Sequence, residues 1–243
     1  MPSGLEFFND NNSVILSADV TPLCFHSKTS HSLTKDVKSS IPLHVEDGYL
    51  SVFKVHLADG SRIMDYGIFS PIGTSGYYFS ADRLQDGQSI VIDEYKFKLG
   101  LSQTTNKGLQ LFDAQGNEVY NSSNKPINIL GHNSINVSDC WLKDNRGQYT
   151  GRYTDKILSG TFPGKKVGIL FTNIPTGVIK FPLQSAAHNY DFRMVMEDDR
   201  MTLMYRVQQW SISSSNVYIP IDVYIPIDES VRLEYFIVDL TGL

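Results

Sequence analysis

The sequence predicts an all-β protein made of two tandem β-sandwich-like domains, the second enlarged by extra strands. Three observations support this class. Short alternating or β-branched runs are bounded by Gly, Asn, Asp, Pro and Ser along most of the chain. No segment shows a convincing helical period, and an opening motif occurs twice. The 243 residues suffice for one large β domain or two of ordinary size.

The repeated motif defines the predicted domains. GLEFFNDNNSVILSADVTP, residues 4–22, aligns without a gap with GLQLFDAQGNEVYNSSNKP, residues 108–126. Each copy is typical of a strand, a polar turn and a second strand, and Gly116-Asn117 tolerate the positive φ of a tight reversal. We therefore predict one domain over residues 1–101, a polar linker over 102–107 and a second domain over 108–243.

A second correspondence has nearly the same offset. GIFSPIGTSGYYF, which begins at Gly67, is similar to GILFTNIPTGVIKF, which begins at Gly168. Two ordered correspondences at similar spacing favour a tandem duplication of one module.

Three further segments have strand periodicity. Residues 49–69 predict a hairpin that turns at Asp59-Gly60, and SIVIDEYKFKLGL, residues 89–101, predicts a strand in which Tyr95, Phe97 and Leu99 alternate with lysines. FRMVMEDDRMTLMYRV, residues 192–207, contains many methionines. Its period of two on both sides of a charged turn favours a hairpin over a helix.

VYIPIDVYIPID, residues 217–228, is one hexapeptide written twice. At strand period it has one aliphatic face and one face of Tyr, Pro and Asp. Pro220 and Pro226 cannot donate to a ladder, so we expect an edge strand or an extended segment against another chain. Tyr218 and Tyr224 are the candidate subunit contacts of this segment.

Composition excludes several partners. Hydrophobic residues make up 41% and charged residues 19% of the chain, which is typical of a globular protein. The net charge is −5 and the densest basic cluster is the pair Lys165-Lys166, so we expect no nucleic-acid partner. No apolar run approaches the roughly 18 residues of a membrane helix, and Glu6 and Asp10 lie where a signal peptide would be apolar. We expect a chain made in a cytoplasm, without membrane insertion.

No cofactor, metal or catalytic motif is recognisable. Cys24 and Cys140 fall one in each half, which favours buried thiols outside any disulfide. Cys24, His26 and His31 lie close in sequence but lack a fourth zinc ligand, so we predict no metal and no cofactor.

Paired carboxylates remain as candidates for glycoside cleavage or calcium binding, at Asp93-Glu94 and at 197–199. Adjacent residues of a strand point to opposite faces, and a charged hairpin tip is common, so we predict no enzyme.

Aromatic and arginine side chains are the other resource for binding. CWLKDNRGQYTGRYTDK sets Tyr149, Arg152 and Tyr153 among turn residues, a composition that sugar- and protein-binding surfaces use. These three are candidate partner or receptor contacts, whereas we expect Trp141 in the core.

The motif Gly108-Leu109, Phe112-Asp113, Gly116-Asn117 resembles the start of small tail-region proteins of lambda-like, long-tailed bacteriophages. The opening Met-x-x-Gly-Leu and the turn at residues 174–177 fit the same pattern. The doubled start and the VYIPID extension depart from it.

The resemblance implies a non-enzymatic structural component of a virion, associated with the distal tail or its fibres and assembled in the host cytoplasm. Its expected partners are other tail proteins and further copies of itself, and its expected role is tail assembly or host attachment. Two alternatives stay open, a receptor- or glycan-binding module and a glycan-degrading tail enzyme that uses Glu197 or Asp198.

Overall fold

The structure is a computed structural model of the chain. It describes residues 6–8, 14–17, 22–35, 40–58, 68–71, 76–80, 84–101, 109–113, 115–143, 145–146, 149–153, 156–173, 179–180, 186–196, 199–211 and 232–243. The predicted linker, the segment with Tyr218 and Tyr224, the Asp59-Gly60 turn, the turn at 174–177, and Glu197 and Asp198 lie outside these residues.

The protein is predominantly β, as the sequence predicts. The described residues of the first half form eight strands: β1 Glu6–Phe8, β2 Val14–Ser17, β3 Leu23–Thr34, β4 Ser40–His44, β5 Tyr49–Leu57, β6 Ile68–Pro71, β7 Gly76–Ser80 and β8 Ser89–Leu99. Those of the second half form eleven: β9 Gln110–Phe112, β10 Glu118–Asn121, β11 Asn128–Asn136, β12 Trp141–Lys143, β13 Tyr149–Tyr153, β14 Lys156–Thr161, β15 Val167–Asn173, β16 Ile179–Lys180, β17 Ala186–Met196, β18 Arg200–Ser211 and β19 Arg232–Asp239. In the described part of the chain the helical structure is a single 3-10 turn, Val137–Cys140.

The repeated motif folds in the same way in both copies. Strands β1 and β2 form one antiparallel hairpin, and β9 and β10 form the other. The pair Phe7–Leu16 corresponds to Leu111–Tyr120, and both hairpins shift register one residue later. Gly116 turns the second hairpin with a φ of 84°. The two predicted hairpins are therefore confirmed, and they also share an irregularity that the sequence did not predict.

The strands of both halves share two antiparallel sheets. One has the order β11-β19-β15-β5-β8-β3 and the other the order β14-β18-β17-β6-β7-β4, with β16 paired to β17. In each of these two strand orders, three neighbouring strands come from the second half and the next three come from the first half. Strand β5 meets β15 with Phe53 opposite Ile169, and β6 meets β17 with Phe69 opposite Phe192. The division into two separate sandwich-like domains stays a prediction.

The two halves have the same topology about these junctions. Strands β3, β4, β5, β6, β7 and β8 occupy the positions that β11, β14, β15, β17, β18 and β19 occupy in the other half. Gly48 lies as far ahead of Phe53 in sequence as Gly164 lies ahead of Ile169, and both glycines have a positive φ. The arrangement has the strand order of a two-fold dimer within one chain. The topology therefore makes β6 and β7 equivalent to β17 and β18. The sequence similarity between the segments that begin at Gly67 and Gly168 had instead aligned β6 and β7 with β15 and β16.

The beginning of the outer strand β3 contacts the segment just before β11, the outer strand on the other side of the sheet. Cys24 of β3 forms an antiparallel bridge with Pro126, two residues before β11. The Phe25 N–H donates to the Lys125 carbonyl, and the Ile127 N–H donates to the Leu23 carbonyl, each at 2.8 Å. Inside this seam lies an apolar cluster of buried residues from four strands and the turn that follows β19, namely Val52, Tyr95, Phe97, Leu170, Val238 and Leu240.

The other face of the six-stranded sheet contacts the second sheet, where the Phe53 and Phe79 rings lie 5.4 Å apart between centroids. Strand β5 lies between β8 and β15 rather than in the expected hairpin, whose return strand falls mostly on residues 59–67. The methionine-rich hairpin is confirmed as β17 and β18, with Met196 opposite Met201. Cys24 and Cys140 are both buried and neither forms a disulfide, as expected.

Gly168 lies beside the junction of the halves and leaves no room for a side chain. A Cβ there would lie 2.6 Å from Leu240 Cδ1 and 2.7 Å from Val52 Cγ1. We therefore expect Gly168→Ala to lower the free energy of unfolding by about 1–3 kcal/mol, because the added methyl overpacks the cluster. Urea titration measures this change.

Gly131→Ala is the matched control in the same sheet. Its Cβ would lie 3.9 Å from Ile237 Cδ1, an ordinary contact. We expect a change within about 0.5 kcal/mol. Equal stability of the two variants would contradict the close packing at the junction.

Candidate functional site

Strand β8, which lies between β5 and the outer strand β3, contains two adjacent buried carboxylates. Asp93 and Glu94 are each 5% exposed. Because neighbouring residues of a strand face opposite ways, the two groups contact different partners on the two faces of the sheet. This confirms the expectation that the two side chains lie on opposite faces of the strand.

Asp93 is held by three side chains from the flanking strands. Lys28 Nζ lies 2.8 Å from Oδ2, the Ser30 hydroxyl donates to Oδ1 at 2.5 Å, and His56 Nε2 lies 3.6 Å from Oδ2. Burial alone would raise the pKa of Asp93, but the hydrogen bonds from Lys28 and Ser30 outweigh it and lower the pKa. The carboxylate is therefore ionised at neutral pH.

Lys28 connects this network to the aromatic core. Its ammonium lies 5.3 Å from the centroid of the buried Tyr95 ring, and Lys166 Nζ lies 5.2 Å from the same centroid. Partial burial opposes the charge of Lys28, but its hydrogen bond to Asp93 prevails and raises the pKa of Lys28. The ion pair thus stabilises the charged forms of both partners.

Glu94 repeats the arrangement on the opposite face. The Ser51 hydroxyl donates to Oε1 at 2.7 Å, and His31 Nε2 lies 3.8 Å from Oε2. Each carboxylate therefore meets one serine and one histidine, supplied by opposite flanking strands. The serine proton is donated to the carboxylate in both cases, and a serine nucleophile would instead give it to the histidine. The Lys28 ammonium neutralises the charge of Asp93 within the sheet.

The polar network is a property of the first half alone. In the sheet, Asp93 lies between Lys54 and Ser30. In the second half, the three residues at the equivalent positions of β15, β19 and β11 are Leu170, Phe236 and His132, with Phe236 in the middle. The His132 and Phe236 rings lie 4.8 Å apart there between centroids, with their planes tilted by 39°. At this row the first half therefore has an ionic contact and the second half has an aromatic contact.

The second half differs in two of its connections. Residues 35–39 join β3 to β4 and residues 81–88 join β7 to β8, whereas residues 137–155 and 212–231 make the equivalent connections in the second half. The first of these longer connections begins directly after Asn136, and the second ends directly before Arg232. Asn136 and Arg232 are paired in the sheet, so both connections meet it at this end. Because β5 and β15 are antiparallel, this end of the sheet lies opposite the end where Thr34 pairs with Ser89.

All five predicted partner contacts fall in these longer connections. The backbone of Tyr149, Arg152 and Tyr153 lies in β13, which pairs with β12 so that Tyr153 is opposite Trp141 and Tyr149 is opposite Lys143. Tyr218 and Tyr224 fall between β18 and β19, outside the described residues. In sequence, the first group follows Asn136 at the end of β11, and the second group precedes Arg232 at the start of β19. These two strand ends are paired in the sheet.

The carboxylate partners were missed from the sequence, although one signal pointed to them. Two charges in the middle of an apolar strand predict buried counter-charges. Their identity depends on which strands flank β8, and the sequence pattern does not specify this.

Within the described residues, no group of three or more His, Cys, Asp or Glu side chains is arranged to hold a metal ion. The same part of the chain contains no helix long and apolar enough to span a bilayer. Comparison of the chain with protein-family models, curated proteins and solved structures found no match.

Asp93→Asn tests the ionic network. The folded-state pKa of Asp93 lies below its unfolded value of about 3.9, so the carboxylate stabilises the fold above that pH and its contribution is lost as the pH falls through the folded-state pKa. We expect Asp93→Asn to lower the free energy of unfolding by about 1–3 kcal/mol at neutral pH. The difference from the parent should shrink as the pH falls from the unfolded-state pKa of about 3.9 through the lower folded-state pKa.

Asp86→Asn is the control for loss of a carboxylate. Asp86 pairs with Lys35 at 2.8 Å, but its side chain is 82% exposed. We expect no measurable change in denaturant midpoint. A variant at Asp93 that behaves like the one at Asp86 across the pH range would show that the network contributes nothing.

Proposed function

We propose that the chain is a non-enzymatic structural subunit of a bacteriophage virion, in the distal tail or its fibres. It is assembled in the host cytoplasm together with other tail proteins and further copies of itself, and it serves tail assembly and host attachment. The single observation that carries the proposal is the Gly-Leu-x-x-Phe hairpin, because the resemblance to phage tail proteins depends on this motif.

The exposure of the hairpin residues supports a contact role. Leu109 is 47% and Phe112 is 52% exposed, whereas Leu111 between them is buried. In sequence, the earlier copy has the same residues, Leu5 and Phe8, at the positions of Leu109 and Phe112, but it has Phe7 at the position of Leu111. In the second copy, the apolar residues that the two copies share are thus the exposed ones, which is typical of a binding surface.

Mass spectrometry of purified particles tests the setting. Tryptic peptides of the chain should copurify with virions through a density gradient, and antibodies should label the tail in electron micrographs. An abundant chain in the lysate that is absent from gradient-purified particles would contradict the proposal.

Phe112→Ser tests the contact role of the hairpin. Since the ring is half exposed, we expect an unchanged melting temperature and a several-fold lower incorporation into particles, which quantitative mass spectrometry of virions measures. Leu99→Ser removes a side chain that is 69% exposed on the six-stranded sheet and should leave incorporation unchanged. Equal incorporation of both variants would refute this role for Phe112.

A receptor- or glycan-binding module is the second candidate. It is favoured by the position of Tyr149, Arg152 and Tyr153 in a connection that the first half does not share. A glycan array with the intact protein should then show saturable binding that Tyr153→Ala weakens about tenfold, the loss of roughly 1.4 kcal/mol. Binding that Tyr153→Ala leaves unchanged would exclude this segment as the binding site.

A further inference from the structure

The ring of Tyr95 contacts positive charges from both halves of the chain. Tyr95 lies on β8 opposite Lys28 of β3, and the Lys28 ammonium is 5.3 Å from the centroid of the ring. Lys166 directly precedes β15 in the second half, and its ammonium is 5.2 Å from the same centroid. Two ammonium groups from different halves therefore lie beside one phenol.

The backbone of Lys166 is fixed by the turn that follows β19. Its carbonyl accepts a hydrogen bond from the Leu240 N–H at 2.6 Å, and its own N–H donates to the Thr241 hydroxyl at 2.8 Å. Leu240 is itself a buried member of the apolar cluster. The Lys166 side chain thus starts from a fixed point beside the Tyr95 ring.

The charge of Lys166 differs from its neighbours in having no counter-charge. Lys28 pairs with Asp93, and Lys165 pairs with Asp239, each at 2.8 Å. In the described part of the chain no carboxylate lies within ion-pair distance of the Lys166 ammonium. Because the pair of Lys28 and Asp93 is neutral, one uncompensated positive charge remains beside the ring.

The Tyr95 hydroxyl lacks an acceptor for its proton. The residue is fully buried, and no group of the described residues accepts a hydrogen bond from this hydroxyl. An ammonium group has donors only, so neither lysine can supply the acceptor. A buried donor without an acceptor costs free energy. A ligand with acceptor oxygens and negative charge would satisfy the hydroxyl and neutralise Lys166 together.

We propose that Lys28, Tyr95 and Lys166 form a binding site for a phosphate group, either the free ion or an ester. The hydroxyl and the two ammonium groups would donate to its oxygens, and such charge-assisted hydrogen bonds are among the strong ones in proteins. A phosphate has acceptor oxygens on several sides, which suits three donors from separate segments. Both lysines are only partly buried, so their long side chains can move to admit the group. The bound phosphate would link the two halves.

Calorimetric titration of the full-length chain with inorganic phosphate at constant ionic strength tests the site. We expect saturable binding and a melting temperature that rises with phosphate, since a ligand that binds only the folded chain stabilises it. Lys166→Met should weaken binding about tenfold, and Tyr95→Phe, which keeps the ring but removes the donor, should weaken it several-fold. Glycerol phosphate in place of the free ion distinguishes the sources, because comparable binding shows that the site admits an ester and loss of binding shows a site for the ion.

Lys35→Met is the matched control. It removes the same charge from a lysine that pairs with the exposed Asp86, and it should leave phosphate binding unchanged. A parent chain that does not bind phosphate would overturn the proposal, as would equal weakening by Lys35→Met and Lys166→Met, or acetate that binds as tightly as phosphate. These outcomes do not depend on whether the chain copurifies with virions, so failure here is distinguishable from failure of the proposed function.

Discussion

The antiparallel pairing of β5 with β15 is the constraint on which the rest of the structure depends. It sets Phe53 opposite Ile169 and so joins the two halves through the middle of one sheet. Gly168 permits this packing, since Val52 and Leu240 occupy the space that a side chain would take. Once these strands are paired, their antiparallel direction places equivalent strand ends at opposite ends of the sheet. The position of both long connections follows from this pairing.

The features that the two halves share and the features in which they differ have different physical reasons. Equivalent strand order shows what packing requires of each half, namely three strands in each of two sheets. The departures are an ionic network around Asp93 where the other half has Phe236, two longer connections in the second half, and a proline on one outer strand only. None of these is demanded by the shared topology. Of these departures, the two longer connections contain all five candidate partner contacts.

Local features of this fold could be predicted from the sequence, but neighbouring strands could not. Both opening hairpins, strand β8 and the methionine-rich hairpin follow from turn residues and a period of two. The predicted domain boundary followed from the repeat, yet a period of two identifies the faces of a strand and not the strands beside it. For this reason β5 was expected to pair within its own segment. The burial of Asp93 and Glu94 on opposite faces was predictable, whereas Lys28, Ser30 and the two histidines reach them only through long-range pairing.

Separation of the chain into residues 1–107 and 108–243 tests most directly whether the halves form one cooperative unit. If the shared sheets hold the protein together, the intact chain unfolds in a single transition, each fragment alone lacks a cooperative melt, and mixing the fragments restores it. Two fragments that each fold as monomers, with melting temperatures that reproduce two transitions of the intact chain, would contradict the account and establish two independent domains.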